Sequence, residues 1–200
     1  MGGKVAAEDL VRPEDVDITG ELARRPARPA DHGRQKSAVQ ELAQQVSAQP
    51  EQVLPRFVAL AMDICEADTA GMSLYEDVPG TPGIFRWHHL TGVLAPFNGG
   101  TTPRNFSPCG VCLDRRRAIL VEKPERAYTW LADANISLAE VLLVPLQLGN
   151  DEPIGTLWVV APDGKKFDSE DRRILEELAG FASIAIHLTR AEEAEKLARA

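Results

Sequence analysis

Apolar residues recur with the spacing of a helix face in two regions of the chain. In residues 36–65, Pro50 separates two predicted helices, and Cys65 falls on the apolar face of the second helix, where we expect a packed thiol. Near the end of the chain, Asp168 is placed to cap a helix whose apolar stripe begins at Ile174 and continues to the last residues. A helix of about 30 residues is about 45 Å long, so its last turns should project from the domain.

Between these helical regions, the apolar residues follow the pattern of β-strands. Two strongly apolar segments, VLLVPLQL and IGTLWVVA, flank a polar turn at 149–152, and this arrangement predicts a hairpin. A second hairpin is predicted around the turn at 77–83, which holds two prolines and two glycines. Pro145, inside a predicted strand, requires an edge position or a bulge. The five predicted strands, which should form one antiparallel sheet, are 70–76, 84–91, 118–122, 141–148 and 154–161.

The stretch TTPRNFSPCGVCLDRRRAILVEK at 101–123 combines features that are typical of a small-molecule site. Ser107 followed by Pro108 is the favoured order of residues at a helix start. Cys109 would lie in the first helical turn, where the helix dipole favours a thiolate. The arginines at 115–117 are expected to form a solvated helix face. The alternative is that one of them, together with Arg104, faces a pocket and binds an anion.

The two cysteines of this stretch, Cys109 and Cys112, form a C-x-x-C motif and would share one face of a helix. Three active roles are open, namely a redox disulfide, half of a metal site, and covalent attachment of a cofactor. The remaining interpretation is that both are packed thiols in a pocket wall. The chain has no second C-x-x-C motif to complete a metal site. The adjacent His88 and His89 lie in a predicted strand and should point to opposite faces, so they cannot readily bind one ion, and no metal-binding residue is predicted.

Composition narrows the class of protein. The net charge of −8 gives little electrostatic support for nucleic-acid binding. No apolar run reaches the roughly 18 residues of a membrane span, and the first residues lack the apolar core of a secretory signal. Three cysteines give no disulfide framework, so a cytoplasmic location is expected. Residues 1–34 are rich in proline and glycine and poor in large apolar residues, and we expect a flexible or linker-like tail.

The order of predicted elements resembles that of a GAF domain over about residues 37–190. The most recognisable segments are ADTAGMSLYE, LLVPLQLGNDEPIGTLWVVA and FDSEDRRILEELAGFASIAI, and PRNFSPCGVCLDRRRAIL is similar to a subgroup found in bacterial sensor proteins. The resemblance implies an α+β fold with an antiparallel sheet of five to six strands and helices on both faces. It divides the chain into a tail at 1–34, a GAF domain at 35–190 and an extension of the signalling helix at 191–200.

The resemblance also implies a function. GAF domains usually bind small molecules or prosthetic groups and pass the signal through their terminal helices. We therefore expect a non-enzymatic sensory domain that binds a small molecule or senses thiol redox state, forms a homodimer through its terminal helices, and signals to a partner such as a histidine kinase. The alternatives are an enzyme similar to free methionine sulfoxide reductase, in which Cys109 would be the nucleophile, and a purely structural dimerisation module.

The sequence predicts where a ligand would lie but not which ligand or cofactor it would be. The pocket should form between the sheet and the segment 92–135, the longest irregular stretch of the domain. No catalytic or metal-binding residue is assigned. The candidate ligand-binding residues are Arg104, Phe106, Cys109, Cys112 and Trp130.

Overall fold

A computed structural model describes residues 11–31, 33, 36, 40 and 52–199 of the chain. Six strands form one sheet in the order β3-β2-β1-β6-β5-β4, and all neighbouring strands are antiparallel. This confirms the predicted α+β fold and the single antiparallel sheet. The strands are β1 (Thr69–Glu76), β2 (Ile84–Gly92), β3 (Thr101–Pro103), β4 (Ile119–Glu122), β5 (Glu140–Leu146) and β6 (Gly155–Val160).

The five predicted strands agree with the structure to within about two residues at each end. The short β3 was not predicted, because three residues beside two glycines carry no strand pattern of their own. Pro145 lies beyond the part of β5 that pairs with β4, so its missing N–H costs no ladder bond on that side. The α-helices are α1 (Glu21–Arg24), α2 (Val53–Ile64), α3 (Pro108–Arg115), α4 (Thr129–Asp133) and α5 (Ser169–Ala198).

Helices α2 and α5 pack together on one face of the sheet. Alternate residues of the central strands point to these helices, as the period of two along a strand requires. Met72 of β1, Leu142 of β5 and Val159 of β6 are buried in this layer together with Phe57 of α2 and Leu175 of α5. The layer is the larger of the two hydrophobic cores, and it places the long helix α5 directly against the middle of the sheet.

The opposite face of the sheet is covered by the segment that joins β2 to β5, including α3 and α4. The residues that alternate with those of the first layer point to this side, among them Leu143 and Trp158. Leu94, Cys112 and Leu131 pack on them from the covering segment. The prediction that irregular chain and short helices would cover this face is therefore confirmed, and the ligand pocket was predicted within this layer.

Helix α5 begins as the sequence predicts. The carboxylate of Asp168 accepts hydrogen bonds from the backbone N–H groups of Glu170 and Asp171, at 2.8 and 3.1 Å. Among the described side chains, Ile186 is the last buried one, and those from Leu188 to Arg199 are exposed, so the last turns do extend past the domain. Among the described helices, none combines the length and the apolarity that a membrane crossing needs.

Residues 11–28 pack on the domain, and the prediction of a flexible tail is wrong for them. The backbone of Val16 and Ile18 bonds to the edge strand β4, with the Ile18 N–H 2.9 Å from the Leu120 carbonyl oxygen. Val16 and Leu22 are each only 1% exposed. Two buried apolar residues and pairing with an edge strand are enough to hold this segment on the domain. The composition averaged over 34 residues does not reveal two single residues. Of the predicted helix at 36–48, only Lys36 and Gln40 are among the described residues, and both are helical.

Candidate functional site

A small chamber lies between the sheet and the covering segment, inside the region that the sequence predicts. Its volume is about 40 Å³, and the side chains around it are apolar. The sheet contributes Val141, Leu143 and Val160, and the covering segment contributes Leu131 and Pro108. One water needs roughly 10–15 Å³ of such volume, so the chamber accepts about three groups the size of a methyl.

Three tryptophans form most of the aromatic surface of this chamber. Trp87 comes from β2, Trp158 from β6 and Trp130 from α4, and the ring centre of Trp87 lies 6.1 Å from each of the other two. Two of the indole N–H groups are satisfied elsewhere, that of Trp158 by Ser73 and that of Trp130 by the carbonyl oxygen of Phe106, both at 2.9 Å. The chamber is therefore lined by ring carbon atoms, and hydrogen bonds outside the chamber fix the rings of Trp130 and Trp158.

The start of α3 forms as predicted and closes one side of the chamber. Ser107 accepts a hydrogen bond from the Gly110 N–H at 3.2 Å, and Pro108 is the first helical residue. Gly110 is required by packing, because a Cβ atom there would lie 2.1 Å from the carbonyl oxygen of Arg104. The loop before α3 therefore folds directly onto its first turn.

Cys109 lines the chamber, and its surroundings oppose the thiolate that its position at a helix start favours. The side chain is buried, and burial raises the pKa of the thiol above its ordinary value although Ser73 and Thr156 hydrogen-bond with it. The Thr156 hydroxyl donates to the Cys109 sulfur at 3.4 Å. Desolvation outweighs the favourable helix end, so the neutral thiol is the stable form at physiological pH.

Cys112 is also a buried thiol, and it does not line the chamber. Its sulfur donates to the carbonyl oxygen of Arg117 at 3.4 Å. Burial raises the pKa of Cys112 well above the usual value, and the neighbouring Cys109 raises it further. Cys65, which directly follows α2, is buried on the other side of the sheet, as predicted, and burial raises its pKa to about 12.

Arg104 and Phe106 flank the site without lining the chamber. The guanidinium of Arg104 forms an ion pair with Asp114 at 2.5 Å and a hydrogen bond to the Gly110 carbonyl oxygen at 3.3 Å. It borders a separate surface groove of about 480 Å³. The Phe106 ring packs against Tyr128, 5.3 Å between ring centres, and is 37% exposed. Of the five predicted residues, only Cys109 and Trp130 meet in the chamber.

The other charged and titratable candidates serve the fold. Arg115 pairs with Asp17 and Arg116 with Glu152, in agreement with the expected solvated helix face. The rings of His88 and His89 are tilted towards each other, 6.0 Å apart, because a bulge in β2 gives His89 a positive φ of 55°. No group of three metal-binding side chains occurs in the part of the chain that the structure describes.

A family model for the GAF domain matches residues 47–187, which is more than half of the chain. The chain belongs to the GAF domain family. This confirms the resemblance drawn from the sequence, and the matched span contains the sheet, the covering segment and most of α5. The search of curated proteins gives no match.

Solved structures with the same fold include GAF domains and one enzyme. The GAF domain of a phosphoenolpyruvate-protein phosphotransferase from Coxiella burnetii has a TM-score of 0.69 and 19% identity, over 82% of this chain and 99% of that one. A domain from a protein named for a two-component sensor histidine kinase of Sinorhizobium meliloti has a TM-score of 0.54 and 18% identity, over 73% of this chain and 96% of that one. Free methionine-R-sulfoxide reductase from Neisseria meningitidis, solved with its substrate, has a TM-score of 0.63 and 16% identity, over 84% of this chain and 98% of that one. At these identities the likeness shows the fold.

A second, more polar cavity of this GAF domain adjoins the chamber. Its volume is about 310 Å³, and the two cavities share Leu94, Leu138 and Val160 in their linings. Asp68 at the start of β1 and Asp163 after β6 both line it. We call it the acidic mouth. Burial raises the pKa of Asp68 above its ordinary value, and the charge of Asp163 raises it further.

Sequence reasoning missed most of the residues around these cavities. Trp87 and Trp158 were not among the candidate ligand-binding residues, and both are buried, with only 8% and 4% of their surfaces exposed. Asp68 and Asp163 were not predicted as site residues, because single carboxylates beside strand ends are common. A usable pattern was the apolar alternation of β6, which predicts that Trp158 and Val160 share a face of the sheet with each other but not with Val159.

Proposed function

We propose that this GAF domain is a sensory module that binds a small molecule in the chamber and relays its occupancy through α5. The observation that carries the proposal is that the chamber and α5 contact opposite faces of the same two strands. Leu143 of β5 and Trp158 of β6 line the chamber, and their chain neighbours Leu142 and Leu157 lie in the layer packed on α5.

This arrangement couples the chamber mechanically to α5. Protein interiors are packed as densely as organic crystals, so a group inserted on one side of a strand displaces what lies on the other side. The paired residues Leu143 and Trp158 are directly opposite each other in the sheet. A ligand that moves them acts on both strands together, and helix α5 carries the displacement to its exposed end.

An exposed apolar stripe of α5, which begins within the domain and runs to its projecting end, supports an interaction with a second copy of the chain and then with an output protein. Phe181, Ile184 and Leu188 follow one another at intervals of three and four residues and are 39%, 47% and 57% exposed. Such a stripe is the seam of a two-helix interface. We propose a homodimer through this stripe that signals to a partner such as a histidine kinase.

The enzyme alternative, a free methionine sulfoxide reductase, has the fold in its favour. Its requirement for a reactive thiolate is poorly met, because Cys109 is buried and its pKa is raised. Thiol redox sensing by Cys109 and Cys112 meets the same obstacle. Turnover of free methionine sulfoxide with a thiol reductant, abolished in Cys109→Ser, would replace the sensory proposal with the enzymatic one.

The test of the proposed function is direct detection of a ligand. Native mass spectrometry and an absorption spectrum of the purified full chain should show a bound small molecule, or binding after incubation with a metabolite extract. Val160→Phe, which fills the chamber, should abolish that binding, whereas Val160→Ala, which enlarges it, should not. Circular dichroism verifies that both variants are folded. Equal binding by Val160→Phe and the parent would place the ligand elsewhere.

A further inference from the structure

The chamber has an unusual combination of walls for a ligand site. Three tryptophans line it, and no charged side chain is among the described residues around it. The face of a tryptophan ring carries a negative potential that attracts cations, most strongly when the site excludes water. An apolar chamber with several such rings is therefore suited either to a neutral apolar group or to a cation with an apolar surface.

The acidic mouth distinguishes between these two kinds of ligand. Asp68 and Asp163 lie in the lining of the cavity next to the chamber, and no lysine or arginine is among the described residues of that lining. Neither carboxylate takes part in an ion pair with another described residue. Two carboxylates that face one cavity repel each other, and a cation held beside them relieves that repulsion.

We propose that the ligand of this GAF domain is a small cation with an apolar surface, of the methylated-ammonium class, whose methyl groups occupy the tryptophan chamber. The inference rests on the proposed function, because it concerns the occupant of the same chamber. Trp87, Trp130 and Trp158 contact the methylated group, and Asp68 and Asp163 balance its charge from the adjoining cavity. The remainder of the molecule passes beside Leu94, Leu138 and Val160, which line both cavities, into the acidic mouth.

The dimensions agree with this class of ligand. The ring centres lie close together, with that of Trp87 6.1 Å from those of Trp130 and Trp158. One cation placed beside these rings can therefore lie within the roughly 6 Å of a ring centre at which the attraction acts. A chamber of about 40 Å³ holds about three methyl-sized groups. The mouth, at about 310 Å³, has room for a hydroxylated or amide-bearing remainder.

The arrangement also argues against the anion that the arginine-rich sequence suggested. Arg104, the arginine that was predicted to face the pocket, is paired with Asp114 and borders a different groove. Arg115 and Arg116 are paired with Asp17 and Glu152 at the surface. An anion in the chamber would find no cationic side chain in the described lining and, in the mouth, two carboxylates, so both environments are unfavourable for it.

The test compares two probes of nearly equal shape on the full chain. Choline carries a trimethylammonium group, and 3,3-dimethylbutan-1-ol replaces its nitrogen with carbon and has no charge. Titration calorimetry at matched ionic strength should show choline binding at least about tenfold more tightly, because only the cation gains from the ring faces and carboxylates. Tryptophan fluorescence should change with the same midpoint.

Variants locate the effect. Trp130→Leu keeps an apolar wall but removes a ring, and it should weaken choline binding by about 5- to 30-fold while changing binding of the neutral probe little. The double variant Asp68→Asn with Asp163→Asn should weaken choline binding and leave the neutral probe unaffected. The matched control, Asp133→Asn with Asp151→Asn, changes the net charge equally at exposed positions outside both linings and should have no effect.

Each contrary outcome has a distinct meaning. If the two probes bind with equal affinity and both fail to bind Val160→Phe, the proposal that the ligand is a cation is refuted, but the chamber remains the ligand site. Choline binding that survives Trp130→Leu and the double aspartate variant would place the cation elsewhere and overturn the inference. If neither probe binds, the proposal that the ligand is a cation is also refuted. Native mass spectrometry of the purified full chain then tests the proposed function independently.

Discussion

The guanidinium of Arg25 forms a two-pronged ion pair with the carboxylate of Glu140, with both nitrogen–oxygen distances at 2.9 Å. Glu140 begins β5 and is fully buried, and its carboxylate also accepts the Phe167 N–H at 3.1 Å. Arg25 in turn donates to the Phe167 carbonyl oxygen at 2.7 Å. One ion pair thus joins the N-terminal segment, the sheet and the residues that precede α5.

The first prediction concerns this ion pair. Arg25→Ala should lower the free energy of unfolding by about 2 to 3 kcal/mol, because a buried carboxylate loses its main partner. Lys166, 2.9 Å from Glu140, keeps the loss below that of a fully orphaned charge. Urea unfolding followed by circular dichroism measures the change. Arg24→Ala removes only the exposed pair with Glu21 and should cost less than about 0.5 kcal/mol, and equal losses would contradict the prediction.

The second prediction concerns acid. Burial alone would raise the pKa of Glu140, but hydrogen bonds from Arg25, Lys166 and the Phe167 N–H outweigh it, so the pKa lies below the ordinary value of 4.5. A lowered pKa in the folded state gives stability that is present above the ordinary glutamate value and is lost as the pH falls through the folded value. Urea midpoints between neutral and acidic pH should therefore fall less steeply in Glu140→Gln than in the parent. Parallel profiles would refute the assignment.

The third prediction concerns the wall of the chamber. A Cβ atom on Gly71 would lie 2.6 Å from Cζ2 of Trp158, so Gly71→Ala must displace that ring. We expect a loss of about 1 to 3 kcal/mol and an altered tryptophan emission. Gly180→Ala in α5 meets nothing within 4 Å and should instead stabilise the protein by about 0.5 to 1 kcal/mol. Gly71→Ala with parental stability and emission would show that Trp158 is not held as described.

The fourth prediction concerns the thiols. All three cysteines are buried, and the pKa of each is raised. Native protein should therefore react with a disulfide reagent at least about 100-fold more slowly than protein unfolded in urea, in which three thiols per chain become available. A single fast thiol in the native state, removed in Cys109→Ser, would instead favour the redox or enzymatic role.

The fifth prediction concerns the end of α5. Leu188→Asp places a charge in the exposed apolar stripe and should weaken the proposed dimer by tenfold or more, as measured by light scattering over a range of concentrations. Thr189→Asp adds the same charge at the next position, which lies outside the stripe, and should have a much smaller effect. A parent chain that stays monomeric at all concentrations would eliminate the homodimer.

The sequence determined the elements and their faces because these depend on neighbours along the chain. The alternation around Leu142 and Leu143 specifies two opposite sides of a strand, and Asp168 specifies where α5 begins. Ser107 and Pro108 likewise determined the start of α3. Local hydrogen bonds and burial periodicity act over a few residues, so the sequence contains them directly.

Only the tertiary structure decided which distant side chains meet. Trp87, Trp130 and Trp158 come from three separate elements, and no spacing in the sequence predicts that they surround one chamber. Arg104 was predicted to face the pocket because of its place in the chain, but its ion pair with Asp114 holds it on another surface. Cys109 has the local position of a thiolate, and burial against the sheet keeps it neutral. Burial and charge pairing depend on the whole packed fold, which is why they decide the chemistry of the site.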